Sequence, residues 1–188
     1  PDAQLRLCPV ADGGEGTLAN IIYLLKGKTV TVTVNDPLMR LKQCQYGIAQ
    51  LPEKETAIIE LAQASGLFRL AKEERNPLET TSYGTGELVL DALKQGAKHL
   101  RITLGGSAMV DGGLGFLQAL GATFKMKSSL PKGAAGKHLS WIFSADLEPI
   151  RQALKGVSLT GLVDVQVPLL GDHGAARTFG PQKGATPS

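Results

Sequence analysis

The sequence predicts an α/β fold, and three observations support this prediction. A segment with the apolar pattern of a strand, a glycine turn and a segment with helical spacing of apolar residues follow one another at residues 5–25. The same order returns at residues 99–120. Hydrophobic residues make up 43% and charged residues 20% of the 188 residues, a composition typical of a globular protein that buries a core.

Strands and helices alternate along most of the chain. Val and Thr alternate at residues 28–34 with the period of a half-buried strand, and residues 35–38 supply turn chemistry after it. The next two predicted strands follow closely, so a largely antiparallel patch is expected there. Residues 128–138, rich in Ser, Gly and Lys, are expected to form a flexible loop. The predicted strands are residues 5–10, 28–34, 43–51, 56–61, 99–104, 122–126 and 158–165, and the predicted helices are residues 17–25, 80–96, 114–120, 147–154 and 172–179.

Composition and charge exclude several classes of function. The net charge is +3, from 20 basic and 17 acidic residues, and the lysines do not form a run with interleaved aromatic residues, so no nucleic acid partner is expected. No stretch approaches the roughly 20 apolar residues of a spanning helix, and the first residues lack the pattern of a signal peptide. We therefore expect no membrane partner and a cytoplasmic location. Cys8 and Cys44 lack the spacing of metal ligands and are expected to be reduced core residues.

Four glycine-rich segments lie where a predicted strand ends or a predicted helix begins: residues 12–16, 84–86, 105–115 and 171–174. Glycine has no Cβ, so backbone N–H groups can approach a ligand there, and a following helix N-terminus adds about half a positive charge. Strand carboxyl ends are also where ligands bind in open α/β sheets. Together the segments predict a cleft for anions, although any one of them could equally be an ordinary turn or helix cap.

Common catalytic motifs are not found in this sequence. The chain has neither the P-loop pattern nor G-x-S-x-G, and residues 84–89 lack the third glycine of the dinucleotide-binding pattern. Hydrolase chemistry is therefore disfavoured. His99 opens a predicted strand and is expected to be structural, whereas His138 and His173 are expected to be solvated loop residues.

Three carboxylates are better placed for chemistry. Asp12, Asp111 and Asp164 each lie in a glycine-rich turn or directly after a predicted strand. A carboxylate at such a position can hold a metal ion or orient a hydroxyl group. The alternative, which the sequence leaves open, is that each of them only caps its turn or helix.

Seven blocks of the sequence resemble, in order, the bacterial-type ATP-dependent glycerate kinases. The resemblance covers nearly the whole chain and is weakest at residues 128–144. It implies a transferase that moves the γ-phosphoryl group of ATP, with Mg²⁺, to D-glycerate and gives phosphoglycerate, usually phosphorylated at the 2-position. The blocks are VADGGEGT (10–17), NDPL (35–38), IIELAQASGL (58–67), RNPLETTSYGTGEL (75–88), LGGSA (104–108), DGGLGFLQALGA (111–122) and PLLGDHGAARTFGPQKGATP (168–187).

The same resemblance implies a two-domain architecture, with a mixed-sheet α/β domain inserted in a flavodoxin-like domain. Residues 1–27 would then be a fragment of the flavodoxin-like first domain, and residues 28–188 would be most of the inserted second domain. Members of the family are longer at both ends, so we expect this chain alone to be inactive. Self-association as a homodimer is left open.

The expected site residues follow from matching these blocks to the glycerate kinase reaction. Asp12, Asp111 and Asp164 are the catalytic candidates, and Asp164 is the candidate ligand of Mg²⁺. Lys183 could equally be a free loop cation. The expected contacts to substrate or phosphate are Gly13, Gly14, Glu15, Ser65, Ser82, Thr85, Gly105, Gly106, Ser107, Gln182 and Lys183.

Two departures from the family pattern motivate an alternative function. The family usually has Asn where this chain has Val110 and Val167, and an Asn at either turn could donate a hydrogen bond to an anion. Loss of such a donor can cost about 3 kcal/mol of transition-state stabilisation. The alternatives are therefore an anion-binding or regulatory module that has lost phosphoryl transfer, or a structural fragment with no site of its own.

Overall fold

The computed structural model describes residues 3–5, 9–52, 54–126 and 129–186. The helices in this part of the chain are α1 (Thr17–Leu25), α2 (Leu61–Ser65), α3 (Tyr83–Lys94), α4 (Leu114–Ala119), α5 (Glu148–Ala153) and α6 (Ala175–Phe179). The strands are β1 (Lys28–Asn35), β2 (Leu41–Leu51), β3 (Lys54–Glu60), β4 (His99–Thr103), β5 (Thr123–Met126), β6 (Ile142–Asp146) and β7 (Ser158–Leu162). Short 3₁₀ helices cover Leu67–Arg69, Lys72–Glu74, Gly136–Trp141 and Pro181–Lys183.

A five-stranded mixed sheet organises the fold, in the order β1-β2-β3-β4-β7. The first three strands pair antiparallel, as expected from their close succession in the sequence. The pairs β3–β4 and β4–β7 are parallel, so their carboxyl ends meet at one edge of the sheet. Strands β5 and β6 form a separate two-stranded antiparallel sheet. The predicted mixed α/β fold class is therefore confirmed.

The two faces of the main sheet bury different helices. On one face Val30, Val32 and Val34 of β1 belong to a cluster with buried side chains of α3 and α5 and partly buried ones of α4, which explains the Val–Thr alternation of the sequence. On the other face Leu18 of α1 packs against Ala49 and Ile58. Helix α1 therefore lies on the same sheet as the rest of the described fold, and the domain boundary expected at residue 27 stays a prediction.

Two of the predicted strands are partly wrong. Strand β3 ends at Glu60, and Leu61 opens the short helix α2, which the sequence analysis missed because apolar residues continue across the junction. The strand predicted at residues 5–10 lies partly outside the described residues, as does Cys8, and the described residues 5, 9 and 10 form no strand.

The loop prediction at residues 128–138 is wrong for most of that segment, of which residue 128 lies outside the described part. Ala134, Ala135 and His138 are buried, and a 3₁₀ helix and strand β6 follow them. Distant side chains hold the segment: Gln118 Oε1 accepts from the amide of Ala134 at 3.1 Å, and Thr81 Oγ1 donates to its carbonyl at 2.7 Å. Local composition could not reveal these long-range bonds.

The expectation that His138 is solvated is also wrong. Its side chain is buried, Nδ1 accepts the Ala135 amide at 2.9 Å, and the ring meets Trp141 edge-on. Cys44 is buried and free, as expected, and burial raises the pKa of its thiol. None of the helices in the described ranges has the length and apolar character needed to cross a bilayer.

Candidate functional site

Three loops meet at the carboxyl ends of the parallel strands. The Gly105 amide, just after β4, donates to the Gly13 carbonyl at 2.9 Å, and the Leu104 amide donates to the carbonyl of Leu162 at the end of β7 at 3.1 Å. These bonds bring the glycine loop at residues 12–16, the turn at residues 105–107 and Asp164 to one hollow of about 200 Å³. The hollow is lined by Asp12, Gly14, Leu104, Gly105, Gly106, Ser107, Val163, Asp164, Val165, Phe179, Gln182 and Lys183.

The first glycine loop already has an internal anion. The carboxylate of Glu60, fully buried at the end of β3, accepts the amides of Gly16 at 3.3 Å and Leu18 at 2.7 Å, at the N-terminus of α1. The Gly13 amide donates to Thr17 Oγ1 and the Gly14 amide to Asp12 Oδ1. These donors are used within the chain, so the helix N-terminus that the sequence offered for a ligand is filled by Glu60.

Sequence reasoning missed Glu60 as a residue of this region. Its signal was present, because a glutamate that ends an apolar strand run has to find partners when it is buried. Its partners lie more than 40 residues earlier in the chain, however, and only the fold brings them together.

The turn at residues 105–107 differs from the first loop because it keeps open donors. Within the described ranges, the amides of Gly106 and Ser107 donate to no protein acceptor. The turn itself is fixed, since its Gly106 carbonyl accepts the Leu67 amide at 2.8 Å and the Ala108 amide donates to Ser65 at 2.9 Å. Gly106 has φ +69°, a conformation that L side chains rarely adopt. The turn therefore presents two adjacent amides to an anion.

Lys183 lies beside this turn and is not a free loop cation. Its side chain is buried, and Nζ donates to Ser107 Oγ at 2.7 Å and to the Met109 carbonyl at 2.9 Å. Burial lowers the pKa of Lys183 to about 8, and the negative charge of Asp111 opposes that shift. The lysine thus fixes the turn and adds a poorly solvated positive charge to the same hollow.

Close contact between the glycine loops leads to a first prediction. A Cβ on Gly105 would lie 2.6 Å from the amide nitrogen of Gly14 and 2.7 Å from the carbonyl carbon of Gly13. Gly105→Ala should therefore force the loops apart and lower the free energy of unfolding by about 1–3 kcal/mol, measured by urea denaturation.

Gly161→Ala is the matched control for this change. Its Cβ would meet only the end of the flexible Leu104 side chain, at 3.3 Å, so its stability should stay within about 0.5 kcal/mol of the parent chain. Equal stabilities of the two variants would show that the loops are not in tight contact.

Two carboxylates flank the hollow. Asp12 and Asp164 are exposed, and both also border a neighbouring hollow of about 310 Å³. Asp12 uses Oδ1 for the Gly14 amide and keeps Oδ2, and Asp164 makes no side-chain hydrogen bond within the described part of the chain. No group of three or more His, Cys, Asp or Glu suited to a metal occurs among the described residues. A pair of carboxylates does fit Mg²⁺, which is commonly bound by one or two carboxylates together with substrate phosphates.

Asp111 occupies a different environment from these two carboxylates. It is buried, and Oδ2 accepts the Ser82 amide at 2.8 Å, the Ser82 hydroxyl at 2.7 Å and the Gly115 amide at 3.2 Å, while Oδ1 accepts the Gly113 amide at 3.0 Å. Ser82 Oγ in turn accepts the Phe116 amide at 2.9 Å. Asp111 therefore joins the N-termini of α3 and α4, which is the capping role that the sequence left open.

The other hydroxyl candidates also lie away from the hollow. Ser65 and Thr85 are buried and bonded to each other at 2.8 Å. Ser82, Thr85 and Asp111 border a mostly apolar hollow of about 390 Å³ on the α3 side of the sheet. The glycines at 84–86 lie within α3, where a Cβ on Gly84 would overlap the Asn35 carbonyl, so they serve helix packing. Neither Glu15 nor residues 171–174 line the hollow beside Lys183.

The fold and the site define a mixed α/β protein in which glycine loops, two carboxylates and a buried lysine meet at the carboxyl ends of parallel strands. The chain belongs to the glycerate kinase family, whose model matches residues 1–188.

Relatives and a solved structure agree with this assignment. The chain is 42% identical to a glycerate kinase of Halalkalibacterium halodurans, with 99% of this chain and 48% of the relative covered. It is 44% identical to the glycerate 2-kinase of Escherichia coli, with the same coverage of 99% and 48%. A crystal structure from Salmonella typhimurium LT2, assigned to glycerate kinase 2, matches with a TM-score of 0.86 at 41% identity, over 95% of this chain and 48% of that one. The chain thus spans about half the length of the relatives it matches.

Proposed function

We propose that this chain contributes an anion-binding turn, at residues 105–107, and two carboxylates to an ATP-dependent glycerate kinase that forms 2-phosphoglycerate from D-glycerate. One observation carries the proposal: Gly106 and Ser107, whose amides have no acceptor among the described residues, line the same hollow as the buried Lys183, Asp12 and Asp164. Phosphoryl transfer needs positioning and neutralisation of negative charge, and this arrangement supplies donors and carboxylates for both.

The roles follow from the positions of the groups. The Gly106 and Ser107 amides bind a phosphate or carboxylate oxygen, Lys183 holds the turn and neutralises charge, and Gln182, exposed at the rim, adds a contact. Asp164 would hold Mg²⁺, which when bound neutralises the phosphate oxygens of ATP. Gly13 and Gly14 support Gly105, and Asp111, Ser82, Ser65 and Thr85 position the loops through helix caps and buried bonds.

The proposed reaction needs only ATP and D-glycerate as reactants. A hydroxyl oxygen of D-glycerate forms the new bond to the γ-phosphorus of ATP, and the bond from that phosphorus to the β–γ bridging oxygen breaks. ADP leaves with the bridging oxygen. Asp12, whose Oδ2 is not used by the loop, orients the hydroxyl and accepts its proton.

The rival function, an anion-binding or regulatory module, rests on Val110 and Val167. Neither residue lines the hollow beside Lys183, so their apolar side chains do not replace a donor at the open amides. We therefore favour the kinase as the function of the whole protein. The 188 residues alone are expected to be inactive. ATP-dependent turnover by the isolated chain would contradict that inactivity. A cytoplasmic location and a homodimer stay predictions.

A chimaera tests the proposed function. The matching segment of E. coli glycerate 2-kinase is exchanged for this chain, and transfer of labelled γ-phosphate from ATP to D-glycerate is measured. The chimaera should be active, and Asp164→Asn within it should lower kcat by about 100-fold or more, because the candidate metal ligand is lost. Asp172→Asn, a change at an exposed carboxylate outside the hollow, is the control and should leave kcat within about twofold. A folded chimaera that binds glycerate without transferring phosphate would favour the module.

A further inference from the structure

A second polar hollow lies at the opposite edge of the parallel strands from the glycine loops. It has a volume of about 330 Å³ and is bordered by the first residues of β3, β4 and β7. Its polar lining consists of Lys54, Thr56, His99, Arg101, Ser158 and Thr160. The strand register pairs His99 with Ser158 and Arg101 with Thr160, so these four side chains lie together on one face of the sheet.

The charge of this hollow is one-sided. Among the residues that the structure describes, three basic side chains line it and no carboxylate does. Within the described ranges, Lys54, His99 and Arg101 make no salt bridge, whereas Arg40 is paired with Asp36 and Glu74. Those two partners raise the pKa of Arg40, and the pKa of Glu74 is lowered by Arg40. No described carboxylate neutralises the basic groups of the hollow in this way, so their field is available to a ligand.

The remaining lining suits an oxyanion. Ser158 and Thr160 add hydroxyl donors beside Arg101, whose guanidinium can bind two oxygens of a phosphate or carboxylate at once. The hydroxyl of Thr56 donates to the Lys54 carbonyl and is therefore already used. The volume exceeds that of inorganic phosphate and lies at the lower end of the range for small-molecule sites.

We propose that this hollow is a second anion site, which takes a small molecule with at least two negative charges and a phosphate group as its anchor. The hollow does not belong to the phosphoryl-transfer site, because none of its lining residues borders the hollow beside Lys183. Binding at this second hollow needs neither ATP nor glycerate at the turn at residues 105–107.

Inorganic pyrophosphate is the probe for this site, and amide resonances of the 188-residue chain are followed by NMR during its titration. We expect the amides of residues 99–101 and 158–160 to shift. Arg101→Gln with Lys54→Gln should weaken binding at these resonances by about tenfold or more, since two charge-assisted contacts are lost. Arg151→Gln, at an exposed arginine of α5, is the control and should change affinity by less than about twofold.

The outcomes separate this site from the proposed catalytic site. Shifts at residues 105–107 alone would overturn the second site and leave the proposed function standing. Shifts at residues 99–101 and 158–160 alone would support the second site, and this conclusion does not depend on whether the turn at residues 105–107 binds an anion. Shifts that respond equally to Arg151→Gln and to the double variant would reveal a general charge effect and overturn the proposal.

Discussion

Replacing Asp111 with alanine should lower the free energy of unfolding by about 3–5 kcal/mol. The change removes the acceptor of four hydrogen bonds and leaves the amides of Ser82, Gly113 and Gly115 buried or half-buried without a partner. The N-termini of α3 and α4 lose their common cap at the same time. Urea denaturation followed by circular dichroism measures the difference.

Two variants control this prediction. Asp111→Asn keeps the shape but turns half of the acceptor into a donor that faces other donors, so we expect an intermediate loss. Asp172→Ala removes a carboxylate that is exposed and weakly paired with Arg177, and it should cost less than about 0.5 kcal/mol. If Asp111→Ala is no more costly than Asp172→Ala, the buried network does not hold the two helices together.

Replacing Lys183 with methionine should weaken binding of sulfate to the turn at residues 105–107 by about tenfold to a hundredfold. The change removes a buried positive charge beside the turn, together with the bonds to Ser107 Oγ and the Met109 carbonyl that fix it. Isothermal titration calorimetry measures the affinity, and Lys155→Met, at an exposed lysine, is the matched control. Equal sulfate affinity in the two variants would remove Lys183 from the anion site.

The pH dependence gives the same lysine a second signature. Sulfate keeps its charge between about pH 7 and about pH 9, so its affinity should fall as pH rises through the Lys183 pKa of about 8. The free energy of unfolding, in contrast, should rise with pH. The ordinary value is 10.5, so the unfolded chain binds more protons than the folded chain between about pH 8 and pH 10.5, and the lysine's contribution to stability rises there.

Charged neighbours define the background for that experiment. Asp111 raises the pKa of Lys183 through its charge, and Asp12 and Asp164 line the same hollow. Both pH trends should vanish in Lys183→Met, and a trend that survives in this variant would assign the titration to another group.

Local patterns predicted the parts of the fold that local chemistry decides. The Val–Thr alternation of β1 and the helical spacing of α1 were sufficient, because each of these elements exposes one side and buries the other. Helix α2 was missed, since its five residues are too short for a period to show. Residues 129–138 were misjudged because distant side chains, Gln118 and Thr81, supply their order.

The candidate site shows the same limit. The sequence indicated that glycine turns and carboxylates would meet, and the structure brings Asp12, residues 105–107 and Asp164 to one hollow. The sequence could not indicate which helix N-termini are occupied by a side chain of the same protein. Glu60 and Asp111 occupy those of α1 and α4, and the partners of Glu60 lie 42 and 44 residues away. This internal occupancy leaves the turn beside Lys183 as the better anion site.

A co-crystal structure of the chain with 2-phosphoglycerate, the proposed product, tests the central claim most directly. We expect an anionic group of the ligand within hydrogen-bonding distance of the Gly106 and Ser107 amides, next to Lys183 and between Asp12 and Asp164. Ligand density at the N-terminus of α1 in place of the Glu60 carboxylate, with the turn at residues 105–107 empty, would contradict it.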